Sequence, residues 1–313
     1  EGPDAYALLD RLTANRMPQK TGSITLTHML NRRGRIELET TIVRMAEDSF
    51  YLVCAAFFEQ RLLDHLAAEQ QNEEARVTAL SSTWGALSLN GPKSRDVLAA
   101  CTDTALDNAS FRWLSAQQIT LAGHRVWAFR MSYAGELGWE LHMPFEAMAD
   151  VYTALWHAGE AHGISDYGSF AMNVMRMEKG FKGAGELTNE VTLAEADVLR
   201  FARSDKAYLG RDETLNTDLP WICAYLEIEP DGEIDGHGGE AVIHEGTVVG
   251  STASVVYGHT VGKILAFAYI KPHAAAPDTA LEVVIHGTPR PARVLGAPAY
   301  DPHSALPRAD VVE

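Results

Sequence analysis

Two short stretches, 89 residues apart, carry the same signal: Gly2-Pro3 is followed by Leu8-Leu9 and Thr13, and Gly91-Pro92 by Val97-Leu98 and Thr102. In the second copy a strand precedes the glycine, through Trp84, Ala86 and 87–89. Each copy reads as the turn and helix of a strand-turn-helix unit, with proline at the first helical position because no backbone N–H is needed there. A chain that uses this unit twice is constrained to two related α/β lobes. The first copy has the turn and helix but not the strand, and there is no initiator Met, so the chain reads as a piece of a longer protein.

Between the copies, 24–30 and 35–45 read as strands around an Asn31-Arg32-Arg33-Gly34 turn. In the second of them Ile36, Leu38, Thr40 and Ile42 alternate with Glu37, Glu39, Thr41 and Val43, the period of a strand with two unlike faces. A strand at 50–55 and a helix stripe of Leu62, Leu63, Leu66 and Ala67 complete this lobe. After the second copy come strands at 118–121 and 126–132, a helix from Phe145 to about Gly159, a helix over 170–179 stopped by Gly180, and a short helix near 193–201. From about Pro220 helical periodicity disappears. Short apolar runs separated by glycine turns, at 223–228, 240–244, 247–256, 263–270, 280–285 and 290–295, predict a small antiparallel barrel or sandwich as a separate domain. The division expected is 1–217 for the α/β lobes and 218–313 for the barrel.

A 46% hydrophobic content in 313 residues supports a large packed core. No apolar run approaches the ~20 residues that cross a bilayer. The net charge of −16 disfavours nucleic acid and anionic membranes, which select for basic patches. Arg32, Arg33 and Arg35, and Lys93 with Arg95, are local basic clusters that fit either an anionic ligand or ordinary surface loops. Cys54, Cys101 and Cys223 are odd in number, far apart and set among apolar residues, so they read as reduced core residues of a protein in a reducing compartment, the cytoplasm ahead of a mitochondrial matrix. The 12 His show no zinc-clamping spacing, and no Gly-x-Gly-x-x-Gly follows a strand.

The stretch with most chemical content is 132–144, Ser-Tyr-Ala-Gly-Glu-Leu-Gly-Trp-Glu-Leu-His-Met-Pro. Gly135 and Gly138 break a strand into a bend, where a flat ligand could lie close to the backbone with a phenol (Tyr133) and carboxylates (Glu136, Glu140) beside it. An ionised Glu accepts two hydrogen bonds at once, which suits a heterocycle with adjacent N–H donors. On spacing alone, ordinary turn chemistry remains the alternative.

The block from Tyr133 to Pro144 resembles the Ser-Tyr-x-Gly-Glu-Leu-Gly-Trp-Glu-Leu-x-x-Pro segment of the folate-binding aminomethyltransferase family, which includes the glycine cleavage T-protein and the carboxy-terminal halves of dimethylglycine and sarcosine dehydrogenases. Met175-Arg-Met-Glu-Lys-Gly180, 250–263 and Pro298-Ala-Tyr-Asp-Pro302 extend the resemblance over essentially the whole chain. It implies an α+β, three-lobed fold: two interwoven α/β lobes and a C-terminal antiparallel β-barrel. It also implies tetrahydrofolate as cofactor, held by Tyr133, Glu140, Arg176 and Tyr257. Glu39 falls where the family's Gly-Gly-Ile-x-x-Asp pattern has an aspartate near the reactive folate nitrogen, although a solvated strand residue beside Glu37 explains it equally well. Arg176 could instead be structural, paired with Glu178 or Glu186.

The implied reaction is one-carbon transfer, with an upstream FAD-carrying domain or subunit oxidising an N-methylated amine and this part capturing the carbon as 5,10-methylene-tetrahydrofolate. Two departures bear on the branch: Phe181-Lys-Gly-Ala-Gly-Glu186 replaces an aromatic-Gly-Ser-Asp stretch, and Cys54-Ala55-Ala56 replaces Asn-Ala-Gly. Both favour the dehydrogenase relatives over the T-protein with its lipoyl partner. A folate-dependent demethylase of methylated sulfur or nitrogen compounds and a scaffold domain that has lost folate are the alternatives.

Overall fold

The computed structural model describes residues 1–216, 218–231 and 236–310. Helix α1 (Ala5–Leu12) leads into an antiparallel sheet of β1 (Ile24–Leu30), β2 (Ile36–Ala46) and β3 (Ser49–Val53), followed by α2 (Glu59–Glu69). The second lobe contains β4 (Trp84–Asn90), α3 (Ser94–Ala99), β5 (Ala116–Leu121), β6 (His124–Phe129), β7 (Gly138–Pro144) and α4 (Phe145–Gly159), with its sheet ordered β4-β7-β6-β5. After α5 (Ser169–Glu178), β8 (Ile222–Ile228), β9 (Ala241–His244), β10 (Thr247–Gly258), β11 (Lys263–Ile270), β12 (Ala280–Ile285) and β13 (Thr288–Val294) close into a barrel in the order β10-β11-β8-β13-β12-β9. No helix of the described residues is long and apolar enough to cross a membrane.

The sequence repeat is a structural repeat. Gly2 and Gly91 have φ of +133° and +120°, values that strain any L side chain. Each glycine carbonyl accepts the N–H three residues on, from Ala5 and Ser94, at 3.0 Å. Each glycine N–H donates to the residue just before the inner neighbouring strand: Gly2 to Asp48 O at 3.0 Å, ahead of β3, and Gly91 to Leu137 O at 2.8 Å, ahead of β7. Thus β3 corresponds to β7, β2 to β6 and β1 to β5. The prolines do not occupy the first helical position: α1 begins two residues after Pro3 and α3 two after Pro92, so proline sets the turn that aims the helix. The outer flank of β3 has no strand among the described residues, where the second lobe has β4.

The two sheets meet where Ser23 bridges Ser115, with Ile24 N–H donating to Leu114 O at 3.1 Å and Ala116 N–H to Gly22 O at 2.7 Å. Ile24, Val43, Ala116 and Phe129 fill the joint. Here β6 stops at Phe129 rather than running to Ser132, because Arg130 turns inward, fully buried, with its guanidinium donating to Phe111 O at 2.5 Å and its carbonyl accepting from Leu114 N–H at 3.0 Å. The expected helix near 193–201 is a set of turns with one 3-10 turn at Leu199–Phe201. Thr192 and Glu195 cap a single helical turn there, each side chain accepting the other's backbone N–H at 3.1 and 2.7 Å, and Asp197 at φ +53° ends the helical path after it.

Barrel and lobes are joined by buried polar contacts at the end of α5. Lys179, whose side chain is fully buried, donates to Asp301 Oδ2 at 2.6 Å and to its carbonyl at 2.7 Å. Tyr300 donates to Glu136 Oε1 at 2.5 Å and Tyr225 to Met177 O at 2.6 Å. Burial would raise the Asp301 carboxyl, but the Lys179 ammonium and the N–H groups of Ala305 and Leu306 hold it below its ordinary value. The stability it contributes is therefore present above the unfolded carboxyl value and lost as pH falls through the lower folded one. Lys179→Met should cost about 3 kcal/mol near neutral pH, because it strands a buried carboxylate. Urea unfolding midpoints should show the gap to the unsubstituted chain closing below about pH 4.

Candidate functional site

The bend between β6 and β7 is built as its glycines require. Gly135 has φ +79°, and a Cβ there would fall 2.7 Å from Lys179 Cγ; a Cβ on Gly138 would fall 2.1 Å from Asn90 Oδ1 and 2.8 Å from Leu89 O. The bend is thereby pressed against the α5 terminus on one side and β4 on the other. Glu136 is consumed by Tyr300 and serves the fold. Tyr133 is turned inward, parallel to Phe181 with ring centroids 6.1 Å apart, and its hydroxyl donates to Lys182 O at 3.1 Å. Burial pushes its phenol up to about 12, with Arg176 pulling down and the charges of Glu39 and Glu186 pushing further up. Glu39 is therefore an electrostatic neighbour of Tyr133.

Arg176 lies behind Tyr133. Its side chain is 5% exposed, and the guanidinium donates to Asn173 Oδ1 at 2.9 Å, Phe181 O at 2.9 Å, Glu186 Oε2 at 2.8 Å and Ser254 Oγ on β10 at 3.2 Å. Glu186 is fully buried and also accepts the Gly183 N–H at 2.7 Å. The ion-pair partner is thus Glu186. Glu178 instead accepts the Thr260 N–H at 2.7 Å, as expected for a residue two positions from Arg176 and so on a different face of α5. Gly183 is wedged between the two site side chains, since a Cβ there would lie 2.8 Å from Tyr133 Oη and 3.6 Å from Arg176 Cζ.

Glu39 on β2 faces His28 on β1, its direct cross-strand partner, with Oε2 3.3 Å from Nε2. Glu140 forms a second group. It lies on β7 opposite Ser88 and Phe129, its Oε2 3.3 Å from His142 Nε2, while His142 stacks on Phe129 at 4.3 Å and reaches the Tyr51 hydroxyl through Nδ1 at 3.4 Å. Tyr51 comes from β3, so this contact joins the lobes. Burial, then the Glu140 charge, raise the Tyr51 phenol. Tyr51 and His142 also border a cavity of about 680 Å3 that extends along β3 toward α1, α2 and 75–81.

The structure therefore sets Tyr133 against Arg176 and the 181–186 loop, Glu39 beside His28, and Glu140 beside His142 and Tyr51. Tyr257 lies on β10, packed toward the barrel core and edge-on to His259 at 5.2 Å, whereas Ser254 of the same strand reaches Arg176. His28, Ser254, His142 and Tyr51 were missed from sequence. His28 was not accessible from hairpin closure, because the turn pairs Leu30 with Ile36 and would set residue 28 opposite 38, and a bulge between Met29 and Leu30 shifts it to 39; His142 was accessible, two residues from Glu140 and hence on the same strand face. Arg32 is occupied by Glu69 at 2.9 Å and Arg95 by Ala309 O at 2.8 Å, so neither is set up as an anion site. The three cysteines are free.

Residues 1–206 match the family model described as the GCVT N-terminal domain, and 223–301 that of the glycine cleavage T-protein C-terminal barrel domain. The chain belongs to the glycine cleavage T-protein family. It is 31% identical to mitochondrial dimethylglycine dehydrogenase of Mus musculus, covering 95% of this chain and 35% of that protein. It is 30% identical to 4-methylaminobutanoate oxidase (formaldehyde-forming) of Paenarthrobacter nicotinovorans, over 96% of this chain and 37% of that protein. The chain thus spans about a third of the length of these curated relatives. It is also 26% identical to a probable aminomethyltransferase of Thermococcus kodakarensis, over 96% and 83% of the two chains. The fold is that of glycine cleavage system aminomethyltransferase T from Bartonella henselae, with a TM-score of 0.85 at 20% identity over 96% of this chain and 83% of that one. This supports the three-lobed α+β architecture and the barrel expected from sequence.

Arg176→Met should destabilise the T-protein-family fold seen here by about 3–5 kcal/mol, because Glu186 would be left buried without its cation. Arg176→Lys should recover only part, since an ammonium cannot meet acceptors spread along a planar fork. Urea unfolding of the three proteins tests this.

Proposed function

We propose that the chain binds tetrahydrofolate and transfers carbon at the oxidation level of formaldehyde onto it. The observation that carries this reading is the Glu140 carboxylate. It is half-buried on β7, and among the described residues its one close side-chain partner is His142, at 3.3 Å. A carboxylate so placed has acceptor capacity for the paired N–H groups of a pterin, and burying it without such donors is costly. Tyr133 adds a fixed aromatic face, and Glu39 a second carboxylate within electrostatic reach. The residues present therefore fit the cofactor.

Bound tetrahydrofolate would supply nitrogen nucleophiles, with 5,10-methylene-tetrahydrofolate as product. Within the protein, Glu140 would accept from the pterin edge and Tyr133 would line its face. Glu39 would orient or deprotonate the reactive nitrogen. Arg176, with its donors spent on Glu186, Phe181, Asn173 and Ser254, would act by holding the 181–186 loop against Tyr133. Tyr257 would contribute from the barrel side. Most of the acceleration would come from holding two reactants in register, since their condensation is intrinsically easy. The names of the relatives support an N-methylated amine, dimethylglycine-like or sarcosine-like, as carbon source, and a flavin-carrying domain or subunit as the partner that oxidises it.

Titration of the purified chain with 5-formyl-tetrahydrofolate tests the reading. Saturable micromolar binding is expected. Glu140→Ala should weaken it by at least about tenfold, the scale of one charge-assisted hydrogen bond, while remaining folded. An intact chain that binds no reduced folate would sink the proposal and leave a scaffold role in front.

A further inference from the structure

His28 is fully buried on β1, its ring tilted against Phe201 at 5.7 Å. Neither ring nitrogen makes a well-formed hydrogen bond among the described residues, yet Nε2 stands 3.3 Å from Glu39 Oε2. Leucine or phenylalanine would pack against Phe201 without stranding two polar atoms, so packing alone does not account for a histidine here. The polar group that the ring does face is Glu39, whose side chain is 29% exposed and so still open on another side.

A neutral imidazole has one N–H donor, and with a carboxylate acceptor at Nε2 the proton belongs on that nitrogen. Glutamate has one more rotatable bond than the aspartate of the resembled pattern. Unrestrained, that bond lets the carboxylate wander by about 1 Å, a displacement that can cost ~100-fold in rate.

We infer that His28 is a positioning residue: it anchors one oxygen of Glu39 from the buried side, so that the other is presented in a fixed direction to the folate nitrogen. This rests on the folate reading above. It also explains how a glutamate can stand in for a shorter acid, since the cross-strand contact removes the freedom that the extra methylene adds.

The test uses the purified chain with His28→Leu, His28→Gln, Glu39→Gln and the His28→Leu/Glu39→Gln double variant. Three readouts are taken: histidine 15N NMR of the ligand-free protein, 5-formyl-tetrahydrofolate affinity, and the rate by which the protein accelerates condensation of formaldehyde with tetrahydrofolate. The expected results are a single Nε2-protonated tautomer for His28 that is disturbed by Glu39→Gln, and His28→Leu binding the folate within about threefold of the unsubstituted chain while condensing at least about tenfold more slowly. His28→Gln, which keeps a donor, should recover most of that loss. The double variant should be no slower than Glu39→Gln alone. A His28→Leu rate equal to that of the unsubstituted chain, or multiplicative losses in the double variant, would overturn the inference. Failure of the unsubstituted chain to bind 5-formyl-tetrahydrofolate would instead sink the folate reading, and an NMR signal unmoved by Glu39→Gln would then separately remove the His28 contact.

Discussion

One buried guanidinium ties together the parts of the chain that the site needs in register. Arg176 belongs to α5, and its acceptors come from α5 itself, from the 181–186 loop and from β10 of the barrel. Four acceptors in different directions can be met at once only by a planar fork of donors, so the geometry is over-determined. The consequence reaches Tyr133: the loop that Arg176 holds supplies the carbonyl that binds the Tyr133 hydroxyl and the ring that lies parallel to it. An arginine that the resemblance assigns to the ligand thus does its visible work one layer further back.

The second group is organised differently. Glu140 and His142 alternate along one strand face, and Tyr51 approaches them from the other lobe. Its integrity depends on the joint between the sheets, where two backbone hydrogen bonds and a plug of four apolar side chains fix β1 and β2 against β5 and β6. The acceptor sites of the candidate pocket therefore rest on two separate supports, a polar knot beside the barrel and an apolar seam between the lobes.

Most elements were legible in the sequence because their signals are local. The period of 36–43, the stripe along 145–159 and the glycine-spaced runs after 220 each report a burial pattern within a single segment. The short helix near 193–201 was misread because its hydrophobic spacing is real and Thr192 and Glu195 cap a helical turn, while Asp197 at positive φ ends it after that turn. Partners were harder. Glu186 rather than Glu178 pairs with Arg176 because of helix phase, which could have been weighed, whereas His28 stands opposite Glu39 only through a bulge at Met29–Leu30 that shifts the hairpin register by one. The approach of Tyr51 to His142 joins residues 91 positions apart through the meeting of two sheets, and no local pattern encodes it.

The seam has the form of an isologous dimer interface drawn into a single chain. Gly22 faces the segment of Leu114 as Leu114 faces that of Gly22, and both hold positive φ, +79° and +57°, as a two-fold relation requires of equivalent positions. Following the ladders outward, Ile24 corresponds to Ala116, Val43 to Phe129 and Tyr51 to Glu140. The phenol and the carboxylate that influence each other across the joint thus occupy the same place in two copies of one unit. A symmetric ancestor would have presented two identical side chains to its axis; covalent linkage of the copies lets one become an acid and the other a phenol.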